Sequence, residues 1–387
     1  MKISGRMAFV LGVGLATTTF SFAVRNAAGQ ATSPAVAPRA DAKLPAGSEL
    51  VLLDTDIGDD IDDAFALSLA LKSPEVKLLG ITTAYGDTDL RLRLVRRYLG
   101  SLCRFDVNVI PGAPTPHNNV FTQAAYAGGF ANQSCGMVSI QSSSKADESR
   151  LKKQREQVAA QWKADQTRVA AVVAHLHQQR VAHDAAGFLL DLINEHPGQI
   201  TLIGIGPLFN VQAAIGKDPA TFKKLKRVVI MGGSIDRGYD SATNNNRPPD
   251  AEWNIKCDPA GLRALLDSGV PVYMMPLDST QVRLSQHDLE KILAHGSPVT
   301  DQLALLYHQW VWGNDVRWTT PTLFDPVAVA YSIRPDLCPT IPMRIEVDDK
   351  GFTRRVDGRP NAQVCLKSDE TAFRQLLLDR LTGDGGN

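Results

Sequence analysis

The apolar run Glu49-Leu-Val-Leu-Leu-Asp54 leads straight into six aspartates within ten residues, Asp54, Asp56, Asp59, Asp60, Asp62 and Asp63. A second apolar stretch, Ala64 to Leu71, follows at once. The first segment reads as a buried strand and the last as a helix, so the chain must carry a dense negative loop at the end of a core strand. A parallel sheet meets that demand, because its loops leave the carboxyl ends of the strands and ligands bind there. The rest of the chain agrees. Val76–Thr83, Val107–Ile110, Ile200–Ile205, Lys226–Met231 and Pro271–Met275 are further short apolar strands, and Leu90–Leu102 and Ala185–His196 have helical periodicity between them. Strand and helix alternating in this way predict an α/β fold: a mostly parallel central sheet flanked by helices, a Rossmann-like open sheet.

The chain has 387 residues, 44% of them apolar, enough for a large core. It carries 41 Lys and Arg against 41 Asp and Glu. That balance offers no electrostatic footprint for a nucleic-acid backbone, and small molecules are the expected partners. The N-terminus has Lys2 and Arg6, an apolar run from Met7 to about Ala23, and small residues to Ala31. This layout predicts a signal peptide over 1–31 and a periplasmic or secreted protein, with no membrane association once the peptide is removed. Residues 32–47, rich in Ala and Pro, read as a disordered lead-in, and 48–385 as a single domain.

Five cysteines, at 103, 135, 257, 338 and 365, show no zinc-ligand spacing. In an oxidising compartment Cys338 with Cys365 and Cys103 with Cys135 are the pairs to test. Buried free thiols are the plainer alternative. One stretch breaks the alternation: residues from about 142 to 180 are rich in Lys, Arg, Gln and Glu and read as a helical insertion with a solvated face. His175, His177 and His183 near it read as surface histidines.

The aspartate run exceeds what helix capping needs, since one residue suffices for a cap. Carboxylates this close repel one another, and a bound cation is their natural neutraliser. All-oxygen ligands select a hard cation, and a dense irregular set suits calcium better than magnesium. Asp54 and Asp56 also suggest the Asp-x-Asp of an aspartyl-phosphate phosphatase, but Gly58 stands where that motif wants Thr or Val. An EF-hand loop would need an ordered Asp-x-Asp-x-Asp-Gly pattern and a terminal Glu, which are missing.

From about Leu52 to Leu381 the chain resembles the inosine-uridine preferring nucleoside hydrolase family. The family signature Asp-x-Asp-Pro-Gly-x-Asp-Asp-Ala is present as Asp54-Thr-Asp56-Ile-Gly58, then two extra residues, then Asp62-Asp63-Ala64. Further blocks follow in order: Ile81–Asp87, Thr201–Asn210, Met231–Gly233, Asn246 with Ala251–Asn254, Pro276–Asp278 and Phe324–Ala330. The resemblance implies hydrolysis of the N-glycosidic bond of ribonucleosides by a homo-oligomeric enzyme. Calcium would be held by Asp56, Asp63, Asp325 and the carbonyl of Ile205, with Asp56 taking the proton of the attacking water. It further implies that Asp62, Asn254 and Asp325 bind the ribose 2′- and 3′-hydroxyls and that Asn246 and Glu252 hold the 5′ end. Plainer roles exist for some of these residues. Glu252 and Asn254 could cap a helix, Asn210 could hold a turn, Asp258 before Pro259 reads as a cap, and Asp278 could orient a loop.

Two departures bear on the substrate. Phe324 occupies the place of a His that protonates the leaving base in many members, and Asp87 replaces an Asn. Both point toward the purine-preferring branch, in which aromatic rings stack on the base. Phe324 would supply one face of the stack, and Tyr126, Trp310, Trp312 or Trp318 the other. Core or lid packing is the plainer role for each Trp. A nucleoside-binding or sensing protein that retains the metal and ribose site without turnover is the alternative function.

Overall fold

The computed structural model describes residues 48–117, 119–128, 184–239, 247–314 and 320–383. The expected signal peptide, the lead-in, the insertion at 142–180, the histidines near it, Asn246, Trp318 and Cys135 lie outside the described residues. No helix among the described residues is long and apolar enough to cross a membrane.

The strand β1 (Glu49–Thr55) is an interior strand, third from one edge of a nine-stranded sheet. The others are β2 (Val76–Thr83), β3 (Asn108–Pro111), β4 (Ile200–Gly204), β5 (Arg227–Met231), β6 (Val272–Met275), β7 (Thr340–Val347), β8 (Thr353–Val356) and β9 (Ala362–Cys365). Their order is β3-β2-β1-β4-β5-β6-β9-β7-β8. The six strands expected from the sequence are all present and all parallel. β9 extends the parallel part beside β6, whereas β7 and β8 run antiparallel at that edge. Strand order reverses between β2-β1 and β1-β4, which opens a crevice beyond the end of β1 where the acidic loop begins.

Both faces of the sheet are covered, as the near-continuous apolar strands require. Side chains alternate across β1. Val51 and Leu53 enter one core with α1 (Asp62–Lys72), α2 (Thr88–Ser101), α7 (Pro298–Gly313), α8 (Pro326–Ile333) and α9 (Glu370–Thr382). Leu52 enters the other with α3 (Ala185–Glu195), α4 (Phe209–Lys217) and α6 (Pro259–Asp267). A five-residue helix, α5 (Trp253–Cys257), precedes α6. Asp258 caps α6 by accepting from the Gly261 amide at 2.8 Å.

Cys338 and Cys365 form a disulfide that ties the segment after α8 to the end of β9. Both are buried, and the bond closes a 27-residue separation. A cross-link of that span stabilises mainly by restricting the unfolded chain, by about 2–4 kcal/mol. The double substitution Cys338→Ala with Cys365→Ala should lower the folding free energy by about that amount, read as a lower urea midpoint.

Candidate active site

The acidic loop divides its residues by polarity. Ile57 and Ile61 are fully buried and join the core beneath, which pins the loop at two points; of the acids between them Asp60 is exposed, whereas Asp59 pairs with the buried Arg91. Gly58 between them has φ +130°, a conformation that only glycine adopts without strain, and a Cβ there would strike the ring of Phe121. Asp62 and Asp63 form the first turn of α1, where the helix dipole favours negative charge.

Asp54 does not face the cleft. It is fully buried and accepts from Thr82 Oγ1 at 2.6 Å and Asn210 Nδ2 at 2.8 Å, tying β1 to β2 and to the start of α4. An acid so enclosed cannot attack a phosphate, which removes the phosphatase reading. Asn210 holds the backbone, as its plainer role suggested.

Above Asp54 a cleft of about 510 Å³ opens at the crevice, within the range of about 300–1,000 Å³ usual for small-molecule sites. Its floor carries Asp56, Asp62, Asp63, Ile205, Glu252, Asn254 and Asp325. Asp62, Asp63 and Asp325 each bring one carboxylate oxygen to within 4.8 Å of the others. Asp63 also accepts from Thr55 Oγ1 at 2.5 Å, and Asp62 Oδ2 from the Asp325 amide at 3.3 Å. Asp56 stands beside this trio rather than within it.

Burial is the largest influence on these acids. It pushes Asp56 and Glu252 up to about 7, and Asp62, Asp63 and Asp325 well above the ordinary carboxylate range, with mutual repulsion adding to the rise at the aspartates. Close-set oxygen donors that cannot all ionise alone suit a hard cation. The trio corresponds to the calcium-binding motif of the family to which the sequence is similar.

Glu252 caps α5: its oxygens accept from the amides of Asn254 at 2.9 Å, Ile255 at 3.2 Å and Gly233 at 2.9 Å. Asn254 Nδ2 donates to the Met231 carbonyl at 3.2 Å. Both therefore have the capping and bracing roles that their positions allowed, while still lining the cleft. Asp278 orients the neighbouring loop by accepting from the Ile235 and Asp236 amides, each at 2.8 Å.

The aromatic part of the lining, its wall, is formed by Tyr239, Trp253, Trp310 and Phe324, with Phe324 edge-on to Tyr239 at 6.0 Å. Tyr126 is elsewhere. Its hydroxyl donates to Gln302 at 2.5 Å and its ring lies under the Arg97 guanidinium, so it packs in the core between α2 and α7. Asp87 caps α2 by accepting from the Leu90 amide at 3.0 Å and is not among the lining residues. Trp312 is also absent from the lining. Among lining residues not expected from the sequence, Trp253 lay inside a quoted block between Glu252 and Asn254. Tyr239, Asn119 and Val120 sit in irregular segments that carry no periodic signal.

Fold and site together define an α/β enzyme with an acid-floored, cation-binding cleft and an aromatic wall. Residues 51–375 match the family described as inosine-uridine preferring nucleoside hydrolase. A pyrimidine-specific ribonucleoside hydrolase, RihA of Citrobacter koseri, is 28% identical over 360 residues, covering 86% of this chain and 97% of the relative. A plant nucleoside hydrolase, the PpNRh1 enzyme, superposes with a TM-score of 0.64 at 24% identity, covering 87% of this chain and 99% of that one. The purine-preferring ribonucleoside hydrolase of Gardnerella vaginalis gives 0.64 at 23%, covering 87% and 98%. The chain belongs to the inosine-uridine preferring nucleoside hydrolase family. Its activity is hydrolysis of the N-glycosidic bond of ribonucleosides.

Two outcomes follow from the crowding. An acid whose folded pKa is raised favours the fold while protonated and loses that contribution as pH rises from its unfolded value to its folded value. The calcium-free protein should therefore melt progressively lower as pH rises from about 4 to about 7. Saturating calcium should recover the loss at the upper end, and a flat profile without calcium would contradict the assignment. Separately, a Cβ on Gly206 would lie 2.8 Å from Asp56 Oδ1 and 2.9 Å from its amide nitrogen. Gly206→Ala should displace Asp56 at a cost of about 1 kcal/mol or more, weakening calcium binding about ten-fold by calorimetry.

Proposed function

We propose that this cleft prefers purine ribonucleosides, releasing ribose and a free purine. One observation carries the reading: the same cleft is lined by the acids and by Tyr239, Trp253, Trp310 and Phe324, with no imidazole among its described lining residues. Asp63 and Asp325 of the trio, with the neighbouring Asp56 and the Ile205 carbonyl, would hold calcium, and Asp62, the third acid of the trio, would stand between the ion and the ribose. Bound there, it supplies positive charge that makes a nearby water more acidic.

The remaining chemistry belongs to the side chains. Asp56, ionised beside the cation, would accept a proton from the attacking water. Asp62 and Asn254, with Asp325, receive the ribose 2′- and 3′-hydroxyls. Glu252 and Asn246 hold the 5′ end, the former through a carboxylate fixed by three backbone amides. The negative floor also stabilises the positive charge that develops on the ribose ring as the bond breaks.

Departure of the base needs a proton or an equivalent withdrawal of charge. With Phe324 in place of an acid, stacking between Phe324 and Trp310 favours a base that is itself readily protonated on its ring, a property stronger in purines than in pyrimidines. The Citrobacter relative is pyrimidine-specific and the Gardnerella enzyme purine-preferring. The aromatic wall favours the second pattern here.

We read the chain as exported, an assignment supported by its N-terminal layout and by the Cys338–Cys365 bond. Homo-oligomeric assembly rests on the family resemblance, and the balanced net charge supports small molecules rather than nucleic acid as partners.

Ribose release from inosine, guanosine, adenosine, uridine and cytidine, with calcium and after chelation, tests the reading. Purines should exceed pyrimidines in kcat/KM by about ten-fold or more, a difference of about 1.4 kcal/mol. Chelation should abolish release, and Asp56→Asn should lower kcat by about 10²–10⁴. Equal rates on uridine and inosine would remove the purine preference. Binding without release from any nucleoside would favour the sensor alternative.

A further inference from the structure

Beneath the acidic loop, α2 presents one arginine that is fully buried. Each nitrogen of Arg91 is engaged. Nε donates to the Tyr85 carbonyl at 2.8 Å, and Nη1 donates to the Ile57 carbonyl at 3.0 Å and also to the Asp56 carbonyl. Nη2 donates to Asp59 Oδ2 at 3.0 Å and lies 3.4 Å from His117 Nε2. The guanidinium carbon lies 5.0 Å from the Phe121 ring centre and 5.9 Å from that of Tyr85.

Three features of this arrangement exceed what core packing needs. First, the two carbonyls held by Nη1 belong to Asp56 and its neighbour, so they set the direction in which the Asp56 side chain leaves the backbone. Second, Asp59 lies in the stretch by which this loop is two residues longer than the family signature. Its carboxylate, which also meets His117 Nε2 at 2.8 Å, anchors that added length to α2. Third, Tyr85, whose carbonyl takes Nε, has φ +64°, a left-handed conformation that a bulky residue keeps only when its surroundings impose it. A planar guanidinium can serve several diverging acceptors at once, whereas an ammonium acts as a point charge.

We infer that Arg91 is a positioning residue for the catalytic loop, presetting Asp56 and the lengthened 59–61 stretch for calcium and water while touching neither substrate nor cation. The inference rests on the cleft being the hydrolytic site proposed above, but its test does not depend on turnover alone. Arg91 is absent from the cleft lining, so it acts through the loop it holds and through its charge, which favours the ionised Asp56; the substitution Arg91→Lys keeps that charge and isolates the first effect.

Arg91→Lys retains the charge and loses the fork, and Asp59→Asn leaves Arg91 in place while weakening its anchor. For each full-length variant three quantities are compared with the unaltered chain: calcium affinity by calorimetry, kcat and KM at saturating calcium, and hydrogen exchange of the 54–63 amides. Arg91→Lys should weaken calcium binding about ten-fold and lower kcat about thirty-fold, with KM changed less than about three-fold. Amides of 54–63 should exchange about ten-fold faster, while those of β4 and β5 remain unchanged. Asp59→Asn should show the same pattern at about a third of the size; because Asp59 also lines the cleft, its 54–63 exchange is the deciding readout if Arg91→Lys does not fold.

Folded variants with unaltered exchange in 54–63 overturn the inference. So does faster exchange with calcium affinity unchanged, because Arg91 would then only stabilise the loop. If the unaltered chain cleaves no nucleoside, exchange and calcium affinity still decide the question, which separates failure of this inference from failure of the proposed activity.

Discussion

Like charges held out of water organise this molecule. Asp56, Asp62, Asp63 and Asp325 are each at most 7% exposed, and a cluster of that kind is costly unless something opposite in sign or hydrogen-bonding offsets it. The surroundings supply part of the compensation. Thr55 donates to Asp63, the Asp325 amide to Asp62, the start of α1 offers its dipole, and Arg91 stands behind Asp56. None of these neutralises the trio. The remaining imbalance is what a divalent cation answers, so the same crowding that weakens the empty fold creates the affinity of the site.

Holding such a cluster in place is a mechanical problem as well as an electrostatic one. Self-repulsion would splay the loop, and the sequence interleaves anchors with acids to resist it. Ile57 and Ile61 are driven into the core by the hydrophobic effect, and Asp54 is bonded to two other chain segments. The close approach of Gly206 to Asp56 leaves no room for relaxation on the β4 side. Acid positions are thus fixed by their non-acidic neighbours, which explains why Ile can stand in the Pro position of the signature: the requirement there is an apolar plug.

Much of this was legible because parallel strands buried on both faces announce themselves as unbroken apolar runs, and β1, β2, β4, β5 and β6 all do. β7 and β8 were not, since an edge strand exposed on one side mixes Arg and Thr among its apolar residues, as Thr353-Arg-Arg-Val356 shows. At the site, the aspartates could be found because so many acids after one strand have no ordinary structural use. Tyr126 could not be placed, because an aromatic residue in a short helical turn, Ala124–Ala127, reads the same whether it stacks on a ligand or, as here, bonds Gln302 176 residues away. Asp87 was ambiguous for a similar reason: a carboxylate before a helix serves a cap and a ligand equally well. Arg91 gave no signal at all, since an arginine among the several in α2 looks like a solvated surface until the fold turns it inward.

The division of the cleft into an oxygen-rich floor and an aromatic wall bears on how specificity arises. In the proposed reaction, activation of water and binding of ribose use the floor, which would meet the part of the substrate common to all ribonucleosides. In that proposal discrimination falls to the wall. Rings that stack on a base give little geometric selection, because every base has a π face. With no imidazole among the described lining residues to deliver a proton, the proposed reaction leans on the base's own readiness to accept one from solvent. Selectivity would then be expressed in kcat, through the leaving group, more than in KM. A wall carrying a positioned acid would relax that dependence, since it could assist purine and pyrimidine departure alike. Phe324 in this view changes which substrates react rather than which ones bind.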